Sequence, residues 1–365
     1  MDIDIRQAFR DMVSSVREKL KKLPQGSCIR EAFSDDMLDG IILEIETKKL
    51  DDFRGSTWPP LFCFIERNSV EVIVDCDDDV GVVIRHSKKE KADEVYHFLK
   101  VKEGRADRYW VSGLFEVFVK SRFLRQSDIS VELDYALSNG RNVDVRAEID
   151  DKKYCFECSI VTESDEDRDV WDKYIEQNRR EPNFVLVRPG QLDPPESKSP
   201  SPYYDCVRFY DKVYDKLSKN LNPTRSQMCE DLPNTLLISF HAPRAHLNSE
   251  SMGIGWALDE LFADQPRERS FRKSEQGAID TSLLGWLQFK AENMITNEGI
   301  GRESFNRWSN DLIRAPRRIG AMLLFDNCSL ERSRMNYNAE QQCQLSHKEM
   351  AKFEEILRNP PSYCS

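Results

Sequence analysis

The feature that most restricts this chain is a strict two-residue alternation across residues 142–161, in "NVDVRAEI" followed by "KYCFECSIV". Side chains on a strand point alternately to its two faces, so such a pattern specifies β-structure with two chemically distinct sides. In the first segment Val143, Val145, Ala147 and Ile149 form an apolar face, leaving Asp144, Arg146 and Glu148 on the other. In the second, Tyr154, Phe156, Cys158 and Ile160 oppose Cys155, Glu157 and Ser159. A tight hairpin at Asp151-Lys152 would set Asp144 opposite Ser159 and Arg146 opposite Glu157. Asp144 then lies diagonal to Glu157, at about 7 to 8 Å between backbones, close enough for two carboxylates to share an ion.

The flanking sequence completes a repeating pattern. "YWVSGLFEVFVKSRFL" at 109–124 reads as a helix and "ISVEL" at 129–133 as a strand. Residues 166–181 read as a helix and "NFVLV" at 183–187 as a further strand, giving the order α, β, β, β, α, β. Five prolines between Pro189 and Pro202 indicate a linker or long surface loop. Beyond it, "TLLISF" at 235–240 and "IGAMLLF" at 319–325 are strand candidates that extend the same sheet.

Toward the N-terminus, Ile5, Phe9, Met12, Val13, Val16 and Leu20 fall at helical spacing and the pattern stops at Leu23-Pro24. Val70–Val74 and Val80–Ile84 read as two β-runs around the acidic turn "DCDDDVG", with a helix near 92–101. That turn is not an EF-hand, because the sixth and twelfth positions counted from Asp75 are Val80 and His86 rather than Gly and Glu. Residues 1–104 are thus expected to form a helix and a small α+β segment, 105–340 an α/β core, and 341–365 a C-terminal helix and tail.

The order of elements, with Asp144 followed by Glu157-Cys158-Ser159, resembles the PD-(D/E)XK or restriction-endonuclease-like nuclease superfamily over residues 109–188. The resemblance implies a mixed sheet flanked by helices and Mg²⁺-dependent cleavage of phosphodiester bonds. It implies that Asp144, Glu157 and the carbonyl of Cys158 hold the metal, and that Glu116 on the first core helix assists. The family's lysine, two residues after the second acid, is replaced here by Ser159. A neutral hydroxyl cannot supply a cation beside developing phosphorane charge, so activity is expected to be weak or lost unless Lys120, one turn beyond Glu116, substitutes. The alternative is a catalytically inactive nuclease-fold protein serving as a nucleic-acid or protein binding module.

Several competing motifs fail on spacing. Cys155 and Cys158, three apart on a strand, point to opposite faces and cannot chelate together, and no second CxxC accompanies them. His241 and His246 lack a third ligand at suitable spacing, and "GIG" at 253–255 lacks the rest of a dinucleotide loop. Arg302, Arg307, Arg314, Arg317 and Arg318, with Trp308 and Phe305, form a basic aromatic stretch that suits either DNA or RNA contact or a solvated helix end.

The net charge of −11 opposes unselective binding of phosphate backbones, so any nucleic-acid contact needs a local basic patch. No apolar run approaches the ~18 residues of a membrane helix. With an acidic N-terminus unlike a signal peptide and ten scattered cysteines, the reading is a cytoplasmic protein of buried, reduced thiols. The oligomeric state is left open by these features.

Overall fold

A computed structural model describes residues 5–47, 59–99, 106–162, 202–218, 226–241, 248–264, 283–287, 290, 301, 303 and 311–364. The chain divides into two units, Met1–Ser127 with Pro360–Ser365, and Asp128–Asn359. The division falls after the helix at 106–124, whereas the sequence pattern begins the α/β core before it, at residue 105.

In the first unit the described elements are helices: α1 (Ile5–Lys22), α2 (Cys28–Ala32), α3 (Asp35–Thr47), α4 (Pro60–Arg67), α5 (Val70–His86), α6 (Lys89–Leu99) and α7 (Ala106–Leu124). The two β-runs and acidic turn expected at 70–84 are therefore one continuous helix, α5, and the described part of residues 1–104 is helical rather than α+β. Valines favour strands locally, but tertiary burial decides here. Ile73, Cys76, Val80 and Val83 recur at helical spacing and are buried, and the Ser69 hydroxyl caps the first turn by accepting the Val72 N–H at 3.4 Å.

Two acids of the expected solvated turn point inward with partners. Asp77 accepts the Ile29 N–H at 2.7 Å, and burial raises its pKa. Asp79 accepts Arg125 Nε and Nη2 at 3.0 and 2.7 Å and the Tyr363 hydroxyl at 2.7 Å. At the end of α4, Lys19 donates to the carbonyls of Ile65, Glu66 and Asn68 at 2.9, 2.6 and 2.9 Å, placing a cation where helix carbonyls run out of partners.

The second unit is α/β. Its elements are β1 (Ser130–Ala136), β2 (Asn142–Ile149), β3 (Lys152–Thr162), α8 (Pro202–Leu217), β4 (Asn234–His241), α9 (Met252–Leu261), β5 (Ile319–Asp326), β6 (Ser329–Met335) and α10 (His347–Leu357). The strands form a six-stranded mixed sheet in the order β1-β2-β3-β4-β5-β6. β1, β2 and β3 are antiparallel neighbours, β3, β4 and β5 are parallel, and β6 returns antiparallel at the edge. The expected strands at 235–240 and 319–325 do extend this sheet. The helix expected at 166–181, the strand at 183–187 and the proline-rich stretch before Pro202 lie outside the described residues.

Both faces of the central strands are covered, which explains why β4 and β5 read as continuous apolar runs. Cys206, Phe209, Tyr210, Val213, Tyr214 and Leu217 of α8 pack with Val161, Leu236, Ile238, Phe240, Met322 and Leu324. On the opposite face Phe353 of α10 meets Tyr154 and Phe156 edge-on, with ring centroids 5.1 and 4.9 Å away. α10 begins with a capping box of Ser346 and Glu349. Glu349 also accepts from Tyr154 Oη at 2.6 Å and Lys152 Nζ at 2.9 Å.

The β2–β3 hairpin turns one residue earlier than the sequence pattern suggested. Asp150 and Asp151 have φ of 50° and 63°, as a two-residue turn with both central residues left-handed requires. Arg146 consequently pairs with Cys155 and Val145 with Phe156, so the expected pairings of Asp144 with Ser159 and Arg146 with Glu157 do not form. The register differs by two residues, which leaves every side chain on its expected face.

Candidate metal centre in the central sheet

The corrected register brings Asp144 closer to Glu157 than a diagonal placement. Paired residues of β2 and β3 run from Ile149↔Lys152 to Val145↔Phe156. Just beyond them, carboxylates take over backbone hydrogen bonding. The Asp144 N–H donates to Glu157 Oε2 at 3.2 Å, and the Cys158 N–H donates to Asp144 Oδ2 at 2.6 Å. Each acid is thereby fixed by the backbone of the other's strand or its immediate neighbour. Carboxylates converge on one face, toward α8, because the strand parity established by the alternation places them there.

Two partners were not singled out in the sequence. Lys216, near the end of α8, donates from Nζ to Glu157 Oε1 at 2.6 Å. It sits beside the buried stripe of α8, ending in Tyr214 and Leu217, so the helix packing that covers β3 also delivers the ammonium. The helix itself was legible only as part of a mostly helical region, and no local motif marks Lys216. The second partner is Asp134 of β1. Leu133↔Val145 and Tyr135↔Val143 flank it, so Asp134 stands across from Asp144. Its φ of 51° is unusual for a strand residue, and oxygens of Asp134 and Asp144 lie within 4.8 Å. Two carboxylates at that separation offer oxygen donors that one cation could share.

Glu157 is 1% exposed. Burial first, and then the Asp144 charge, raise its pKa to about 8, although the Lys216 ion pair and hydrogen bond work in the opposite direction. For Lys216 burial disfavours the charged form, but the charges of Glu157 and Asp144 outweigh it and raise its pKa. The centre therefore combines a proton-avid carboxyl, an ammonium held charged, and an acidic pair across β1 and β2.

The remaining predicted residues separate into groups. Glu116 and Lys120 are one turn apart on α7 in the first unit, where Lys120 Nζ donates to Glu116 Oε1 at 2.5 Å. Ser159 is buried on the same strand face as Glu157, opposite Ile238 of β4. The ordinary cross-strand pair envisaged for Arg146 with Glu157 is replaced by Arg146 with Glu132, at 2.5 Å, and the Arg146 guanidinium lies 4.0 Å from the Tyr135 ring centroid.

Arg302, Arg307 and Trp308 fall outside the described residues, as does His246. Arg314 is exposed, whereas Arg317 donates to the Asp264 carbonyl at 2.8 Å and lies 3.5 Å from its carboxylate. Arg318 is half-buried, and His241 Nδ1 lies 3.0 Å from Asn327 Oδ1.

No family model, curated protein or solved structure matches the chain. Among the described residues no helix is long and apolar enough to cross a membrane.

Proposed function

We propose that this chain is a Mg²⁺-dependent phosphodiesterase acting on nucleic acid, with a degenerate PD-(D/E)XK-type centre on a restriction-endonuclease-like core. The observation that carries the reading is the mutual backbone clamp of Asp144 and Glu157 on one sheet face, with Lys216 bonded to Glu157. The β1-β2-β3 meander followed by a parallel neighbour, with a helix packed over the acids, supports the same fold.

The donor set suits a hard divalent cation, which takes carboxylate and carbonyl oxygens. Asp144, Glu157 and the Cys158 carbonyl would hold Mg²⁺, with Asp134 as an additional oxygen donor that the motif alone did not suggest. The ion would supply charge neutralisation at the phosphoryl group and a more acidic bound water. Lys216 fills the role left open by Ser159: its ammonium is directed at Glu157 from the helix above, where it can stabilise negative charge that develops during attack. Arg208, Lys212 and Lys216 recur every four residues on α8, about 6 Å apart along its axis, so the helix that brings Lys216 to Glu157 carries a row of basic residues. Glu116 and Lys120 remain candidate assisting residues by resemblance.

The test is metal-stimulated nicking of DNA and RNA substrates by the full chain. Activity that disappears in Asp144→Ala and Glu157→Gln, with folding retained, supports the proposal. A second reading is favoured by the closure of Lys216 onto Glu157 and by Ser159: an inactive fold that binds nucleic acid or protein. It predicts binding that is unchanged in Glu157→Gln and insensitive to Mg²⁺.

A further inference from the structure

Residues 360–363 belong to the first unit, although in the chain they follow α10 of the second. Their exposure alternates. Pro360 and Ser362 face solvent, whereas Pro361 and Tyr363 are buried. The two hydroxyls of the segment meet two carboxylates of α5: Ser362 Oγ donates to Asp75 Oδ2 at 2.5 Å, and Tyr363 Oη donates to Asp79 Oδ2 at 2.7 Å. The acids stand four residues apart, so one face of the helix presents both.

Asp79 is the more demanding of the two, being 4% exposed. Its Oδ1 accepts Arg125 Nε and Nη2 at 3.0 and 2.7 Å, and among the described residues the Tyr363 hydroxyl is the partner of Oδ2. A buried carboxylate oxygen without a donor is unfavourable, so the place is built around a phenolic hydroxyl. The segment is equally suited to docking. Pro360 and Pro361 restrict the backbone before it binds, and the tyrosine combines a large apolar ring with one polar tip.

We propose that the α5 surface at Asp75 and Asp79 is a peptide-recognition site for a Pro-Pro-Ser-Tyr segment, occupied in cis by residues 360–363 and able to take the same segment of a second copy of the chain. Phenylalanine at the tyrosine position would fill the apolar space but leave Asp79 Oδ2 without a donor. Phosphotyrosine would set a phosphate against buried Asp79 and neighbouring Asp75, so the site selects unmodified tyrosine. The cis segment, joined to α10 through exposed Arg358 and Asn359, competes at an effective concentration on the order of millimolar, and a segment in trans enters as the cis one leaves. The inference does not depend on the metal-centre reading.

The test is fluorescence anisotropy with a labelled peptide of residues 358–365 carrying Cys364→Ser, titrated with the full chain and with its Tyr363→Ala variant. The variant, whose cis segment has lost its anchor, should bind the peptide saturably and about tenfold or more tighter than the wild type does. Peptides with phenylalanine or phosphotyrosine at the tyrosine position should bind the variant about tenfold or more weakly. Equal binding of the phenylalanine peptide, or no saturable binding to folded Tyr363→Ala, would overturn the proposal. Hydrogen exchange of the wild type decides the matter if that variant does not fold. Excess peptide should speed exchange at the Ser362 and Tyr363 amides, and an unchanged rate would refute exchange of the segment between cis and trans.

Discussion

Exchanging the Glu157–Lys216 pair for neutral groups gives a sharp, pH-dependent signature. Glu157 titrates near pH 8 when folded, against a reference value of 4.5. A carboxyl raised on folding favours the native state when protonated, so its favourable contribution is present below about pH 4.5 and is lost as pH rises toward 8. Across that window the loss is on the order of 5 kcal/mol.

Glu157→Gln should remove that decline, leaving a flatter stability profile between pH 5 and 8. Lys216→Met removes the attraction that opposes protonation of Glu157, so it should raise that pKa further and carry the decline in stability above pH 8. The double variant should be more stable there than Lys216→Met alone, because it leaves no uncompensated charge. Chemical denaturation of all four proteins at several pH values, analysed as a double-mutant cycle, measures each quantity. Parallel pH profiles for wild type and Glu157→Gln, with additive single effects, would refute the assignment of a coupled buried pair.

Other parts of the molecule give independent tests. Burial opposes ionisation of Glu349, but bonds from Tyr154, Ser346 and Lys152 outweigh it and lower its pKa to about 2. Its stabilisation is therefore present above pH 4.5 and lost as pH falls toward 2; Glu349→Gln should remove about 1 to 3 kcal/mol at neutral pH and flatten the acid side of the profile, as read by thermal melts. Phe353→Ala, which empties a fully buried site between two aromatic edges, should cost about 3 to 5 kcal/mol in urea unfolding. Lys19→Met strips three carbonyls at the end of α4 of a charged donor and should cost about 1 to 3 kcal/mol in the same assay.

What the sequence disclosed follows the range of the interactions involved. The period-two pattern of 142–161 specified two strands and the shared face of Asp144 and Glu157, because strand parity is local and unaffected by the register correction. The register itself depended on which two residues could adopt left-handed φ, and the Asp150-Asp151 pair accepts this geometry no less readily than the turn first favoured. Val70–Ile84 misled because β-branched side chains prefer strands in isolation, while the inward partners of Asp77 and Asp79 come from residues 48 and 46 positions away along the chain. Lys216 was hidden for the same reason: it meets Glu157 across 59 residues, and only the packing of α8 on β3 brings them together. Asp134 needed the β1–β2 register, which places it across from Asp144.

The most direct test of the proposed centre is calorimetric titration of the full chain with Mg²⁺, repeated with Asp144→Asn and Glu157→Gln. The account predicts saturable binding in the millimolar range or tighter that both substitutions abolish while the folded state persists. Absence of binding, or an isotherm indifferent to Asp144 and Glu157, would contradict it.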